Sequence, residues 1–147
     1  MSESMSARKR VAGIIGITSA LILAGAPAAW ANWSGSIGSA GRGFESRRWD
    51  DSSYSQLWFT DCAIQSPSNT KQTEVAIWED NLASPDNNHG TKTFTNCFNG
   101  NSAQSMGEWH GLPSDNYYFR LQDVGSNGDG LLWVTKVTVD TSAADQN

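Results

Sequence analysis

Two histidines and two cysteines carry nearly all the distinctive chemistry this sequence could perform. His110 lies between Trp109 and Gly111, two residues after Glu108, so a carboxylate stands close enough in sequence to orient an imidazole for general-base work. His89 sits in the polar stretch from Asp86 to Gly90. Neither histidine falls in a recognisable nucleophile, zinc or nucleotide motif. A Ser-His-Asp set can be drawn through any serine-rich chain and carries no specificity. The pairing of His110 with Glu108 therefore competes with a simpler reading, a surface histidine flanking a turn, and the chain reads as a protein that is not an enzyme. Ser126-Asn127-Gly128-Asp129-Gly130 alternates oxygen donors with glycines as calcium loops do, but Leu131-Leu132-Trp133 follows where an EF-hand loop needs a closing acidic residue. That segment, like Asp86-Asn87-Asn88, reads as a turn. Neither a metal nor a cofactor is expected.

The aromatic residues make the stronger functional signal. Side chains alternate across a strand, so parity sorts each strand-like segment into two faces. In 55–62, Leu57 and Phe59 share one face, leaving Trp58 and Cys62 on the other. In 73–79, Val75 and Ile77 oppose Trp78, and Tyr118 joins the outer set if Tyr117, Phe119 and Leu121 fill the core. Trp58, Trp78 and Tyr118 are thus the candidate ligand-binding residues, because flat aromatics turned to solvent can stack on sugar rings or anchor a protein interface. The competing reading is that neighbouring chain covers them or that a bulge flips the register. Six tryptophans between Asn32 and Asn147 are more than one small core easily hides.

The elements that must position these residues are short strands. Segments near 44–49, 55–62, 73–79, 91–98, 104–109, 117–124 and 131–139 have strand composition, and clusters of Gly, Pro, Asn, Asp and Ser separate them. No stretch of ten residues holds a helical period. Seven short strands at regular spacing describe an all-β fold, a β-sandwich or small barrel, and a single antiparallel β-sandwich spanning 44–140 is the expected form. Before it, 32–43 reads NWSGSIGSAGRG, a flexible Gly/Ser arm or an edge strand awaiting a partner; after it, 141–147 is a polar tail.

Residues 1–31 read as a secretory signal peptide. Arg8, Lys9 and Arg10 form a basic start, Val11 to Ala26 an apolar run, and Ala29-Trp30-Ala31 a small-x-small cleavage site. The run is too short and too broken by Gly13 and Gly16 to match the ~20 residues of a spanning helix. Export into an oxidising space makes a Cys62–Cys97 disulfide the expected state, and strand parity places it on an outer face or at strand ends. Three of the ten Lys and Arg and one of the fifteen Asp and Glu precede Asn32, leaving seven cations against fourteen anions. That acidic balance excludes nucleic acid and anionic membrane as partners, since both need a basic footprint.

The stretch Gly111-Leu112-Pro113-Ser114-Asp115-Asn116-Tyr117-Tyr118-Phe119-Arg120-Leu121 resembles a corner found in fibronectin-III-like and pilin-like extracellular sandwiches. The resemblance implies a leucine packed beneath the turn and a tyrosine pinning it. Asp115 stands where those families usually carry a turn glycine. Taken whole, the chain is similar to small one-disulfide proteins exported by filamentous actinobacteria. The function expected is a secreted, non-catalytic recognition or adaptor module that binds another extracellular protein, its Gly/Ser arm adding to a partner's sheet. The alternatives are a carbohydrate-binding module using Trp58, Trp78 and Tyr118 on a polysaccharide, and a small inhibitor or toxin that presents a loop such as 81–90.

Overall fold

A computed structural model describes residues 32–142; the signal peptide expected at 1–31 and most of the polar tail lie outside the described residues. Eight strands form: β1 Trp33–Ala40, β2 Trp49–Asp51, β3 Ser55–Gln65, β4 Thr73–Glu79, β5 Asn87–Phe94, β6 Gln104–Trp109, β7 Asp115–Val124 and β8 Leu131–Asp140. They build two antiparallel four-stranded sheets, ordered β1-β8-β3-β6 and β2-β7-β4-β5, packed face to face. The all-β sandwich expected from the alternating pattern is the observed fold. Leu57, Phe59, Val75, Ile77, Phe119, Leu121, Val137 and Val139 fill its centre at no more than 1% exposure. Phe59 meets Phe94 edge-on at 5.0 Å and Phe119 at 5.5 Å, joining the two sheets.

Three expectations are corrected. First, the Gly/Ser segment is not a flexible arm: Trp33 to Ala40 pairs with β8 and forms the edge of its sheet. Ile37 and Ala40 point inward, and Asn32 closes the strand's start by accepting a hydrogen bond from the Thr141 N–H at 2.9 Å. Few apolar contacts suffice when both ends are tied. Second, the expected strand at 91–98 ends at Phe94, and Asn96–Phe98 is a turn of 3-10 helix.

Third, the disulfide is in the core. Cys62 and Cys97 are bonded, with 8% and 0% exposure. The cause is a parity change at Asp61, which sits at φ 59°, in the left-handed region non-glycine residues rarely occupy. Before it the odd positions of β3 are buried; after it Cys62 is, while Ala63 and Gln65 are exposed. β8 makes the same switch, with Leu132 and Val134 inward on one side and Val137 and Val139 on the other. The β3–β8 register therefore continues unbroken, and the Thr135 hydroxyl donates to the Asp61 carboxylate across the switch at 3.1 Å.

The corner at 111–117 has the form the resemblance implied. Leu112 is 4% exposed and its N–H donates to the Ser53 carbonyl at 2.9 Å, while the Tyr117 hydroxyl donates to the Pro113 carbonyl.

Candidate functional site

The three residues expected to form one aromatic face do not lie together. Trp58 is on β3 and Trp78 and Tyr118 are on β4 and β7, so they project from opposite outer faces of the sandwich. Trp58 is partly buried between its cross-strand neighbours Met106 and Thr138, and its indole N–H donates to the Gln56 side chain at 2.8 Å. Trp78 and Tyr118 are directly paired across β4 and β7. The Trp78 N–H donates to Gln122 at 2.9 Å, and the Arg120 guanidinium lies 5.5 Å from its ring.

Tyr118 is only 2% exposed. The Arg48 guanidinium covers its ring at 3.8 Å, held there by Asp80 at 2.9 Å and Glu45 at 3.2 Å. Its hydroxyl donates to Asp86 at 2.6 Å. Burial first, and then this bond to a carboxylate, push the phenol well above its ordinary range; the same bond holds the Asp86 carboxyl below its own. Parity placed Tyr118 on the outer face correctly, but residues from two distant loops seal it. An exposed ring that reasoning did not single out is Trp133, 37% exposed beside Leu131 at 39%.

The histidines have separate settings. His110 and Glu108 are both well exposed with 3.9 Å between Nε2 and Oε1. The nearer partner of Glu108 is the Tyr54 hydroxyl, which donates to Oε2 at 2.7 Å and is the main reason the carboxyl sits below its usual range. His89 turns inward at a register shift between β4 and β5, and its Nε2 meets the largely buried Glu79 at 2.9 Å. In the loop before β8, the Asp129 carboxylate accepts from the Ser66 hydroxyl at 2.6 Å, the Ser126 N–H at 3.1 Å and the Ser68 N–H at 3.2 Å. Its oxygens thus bind two loops together as protein acceptors. Leu82 is fully exposed at the tip of the loop between β4 and β5.

What the fold does assemble is an open sheet edge beside an apolar groove. Four strands are sheet edges: β1, β6, β2 and β5. Natural sheets blunt such edges, because each presents a row of unpaired N–H and C=O groups. β2 is only three residues long. On the β5 and β6 side the two sheets are closed against each other: the Trp109 indole donates to the Gly90 carbonyl at 2.9 Å, and the Lys92 ammonium lies 5.3 Å from the same ring. β1 is eight residues long, without proline, lysine or any charge, and six of its residues are not buried, while its pairing with β8 shifts register between Gly35 and Ile37 and again between Ile37 and Ala40.

On the β1 and β2 side the Trp33 ring spans the two sheets. Trp33 approaches Trp49 at 6.0 Å and stacks on Phe119 at 6.4 Å. Next to them runs a groove of about 230 Å³ whose walls include Trp33, Ile37, Phe44, Arg47, Phe119 and Val137. Phe44 is 37% exposed. The segment holding Phe44 is fixed to β7 by hydrogen bonds from Gly43 N–H to the Leu121 carbonyl, Leu121 N–H to the Phe44 carbonyl and Ser46 N–H to the Phe119 carbonyl, at 2.8 to 2.9 Å. Among the described residues the Trp33 Nε1 is buried without a hydrogen-bond acceptor. Reasoning from sequence missed Phe44, Arg47 and Phe119 as a group; the available signal was the even spacing of Trp33 and Ile37, which share a face if 33–40 is a strand.

No protein-family model, no curated protein and no solved structure matches this chain.

Proposed function

We propose that this protein is a secreted, non-catalytic recognition module that captures an extended segment of another extracellular protein by adding it to the β1 edge. One observation carries the reading: an eight-residue uncharged edge strand borders an apolar groove on the side of the sandwich where β1 and β2 are the sheet edges. Strand addition supplies affinity through backbone hydrogen bonds and specificity through a pocket for side chains on alternate positions. The Gly/Ser segment thereby receives a partner's strand from within its own sheet, rather than adding itself to a partner's sheet as expected from sequence. Its small side chains let a partner backbone approach. The disulfide between Cys62 and Cys97 is compatible with an extracellular setting.

Two features weigh against the polysaccharide alternative built on Trp58, Trp78 and Tyr118: the rings occupy opposite faces, and one is sealed by Arg48. The inhibitor alternative retains one observation in its favour, the fully exposed Leu82 on the 81–90 loop.

The test is a selection of random twelve-residue displayed peptides on the disulfide-intact protein, followed by amide chemical-shift mapping of the binders. Perturbation centred on residues 33–47 is expected. Binders that map to Trp58, Trp78 or Leu82, or retention of the protein on cellulose, chitin or peptidoglycan that Trp133→Ala abolishes, would contradict it.

A further inference from the structure

We infer that the segment captured by β1 carries a side-chain carboxylate that Arg47 engages beside the groove, next to a large apolar residue that fills it. This rests on the strand-addition reading and adds the chemistry of the partner. Arg47 and Arg48 are sequence neighbours with opposite circumstances. Arg48 is bound by Asp80 and Glu45 and lies flat on Tyr118. Arg47 is exposed, lines the groove, and among the described residues meets no carboxylate within ion-pair distance.

That isolation is informative in a chain with twice as many acidic as basic residues after Asn32. The one charge on the groove wall is positive, whereas the protein as a whole repels anions. Its guanidinium rests 5.4 Å from the Trp33 ring, with its backbone carbonyl taken by the Ser46 hydroxyl at 2.8 Å. The indole covers one face of the guanidinium and leaves its planar fork of donors for a carboxylate, which that fork matches in two parallel hydrogen bonds. The remaining wall holds no second charged side chain, and its large side chains, Trp33, Ile37, Phe44, Phe119 and Val137, suit one aromatic or branched apolar side chain.

The peptide selection is repeated in a format that fuses each peptide's C-terminus, so that only side-chain carboxylates count. Selected binders are expected to be enriched in Asp or Glu over the starting library, and to bind Arg47→Ala at least tenfold more weakly. Arg47→Lys should recover part of the loss, and selection on Arg47→Glu should enrich Lys or Arg instead. Binders that shift the amides of β1 yet show no acidic enrichment, or that bind Arg47→Ala undiminished, overturn the carboxylate inference and leave strand addition standing. Binders that map elsewhere, or a selection without any binder, overturn strand addition and this inference with it. Far-ultraviolet circular dichroism of each variant checks that the exposed substitution leaves the fold intact.

Discussion

Raising the pH past 10 should unfold this protein steeply, and the steepness can be worked from the three tyrosines. Tyr54, Tyr117 and Tyr118 are the only tyrosines of the chain, and none is more than 2% exposed. Burial pushes each phenol well above the ordinary value of 10.0; neighbouring carboxylates add to it, Glu108 for Tyr54, Glu79 for Tyr117 and Asp86 for Tyr118. The unfolded chain releases phenolic protons near pH 10 while the native state keeps them. Above that pH the unfolded state binds fewer protons, so stability is fully present below pH 10 and falls as pH rises. Each buried group removes up to about 1.4 kcal/mol per pH unit, and three remove about 4 kcal/mol. A small domain holds about 5–15 kcal/mol in total, so unfolding should come within roughly one to four pH units above 10. The assay is a stopped-flow jump to high pH that follows tyrosinate absorbance and tryptophan fluorescence together. No tyrosinate should appear in the dead time, and the full signal should rise with unfolding. A burst of a third of the amplitude would show one phenol open to solvent, and tracing it to Tyr118 with Tyr118→Phe would refute the sealed placement under Arg48.

The core position of the disulfide separates two otherwise similar variants. Closing a loop of 35 residues contributes about 4 kcal/mol through chain entropy, which Cys62→Ala with Cys97→Ala should lose in denaturant titration. Replacing the pair with serine should cost a further ~1–3 kcal/mol, because hydroxyls at positions 8% and 0% exposed lack partners; equal stability of the two variants would contradict burial. At Gly107 an added Cβ would stand 2.9 Å from the Trp109 ring and 3.0 Å from the Lys92 side chain. Gly107→Ala should therefore destabilise by about 1–3 kcal/mol and lower the melting temperature, whereas Gly38→Ala, with open space around its Cβ, should be near neutral. At the acid end, Asp86, Glu108 and Asp129 are held below their ordinary values of 3.8, 4.5 and 3.8, chiefly by the Tyr118, Tyr54 and Ser66 hydroxyls. Their contribution is present above those values and lost as pH falls below them. Tyr54→Phe should flatten part of that loss in acid titrations followed by circular dichroism.

The sandwich was legible because its central strands are regular. Leu57 with Phe59, Val75 with Ile77, and Tyr117 with Phe119 and Leu121 alternate cleanly, and each is buried. Legibility failed where the backbone departs from the pleat. Asp61 takes a left-handed conformation that no glycine announces, and one residue is enough to turn Cys62 from the outer face to the core. At β1 the sequence left a flexible arm and an edge strand both open, because Ser and Gly have no strand signature; pairing with β8 and the ties at Asn32 make it a strand. The aromatic residues show a different limit. Alternation put Trp78 and Tyr118 on one outer face correctly, but it could not show that Arg48 and Asp86 would close over Tyr118, nor that Trp58 belongs to the other sheet. The groove joins Trp33, Phe44 and Phe119 from three separated segments, a juxtaposition that only sheet order creates.

Backbone methylation of a selected peptide tests strand addition at β1 most directly. An added strand turns alternate N–H groups toward its neighbour, so N-methyl groups on one set of alternate residues should weaken binding at least tenfold while the same groups on the intervening set leave it nearly unchanged. Equal binding by both methylated peptides would mean that no ladder forms along Trp33–Ala40, and β1 would be an edge of the sheet and nothing more.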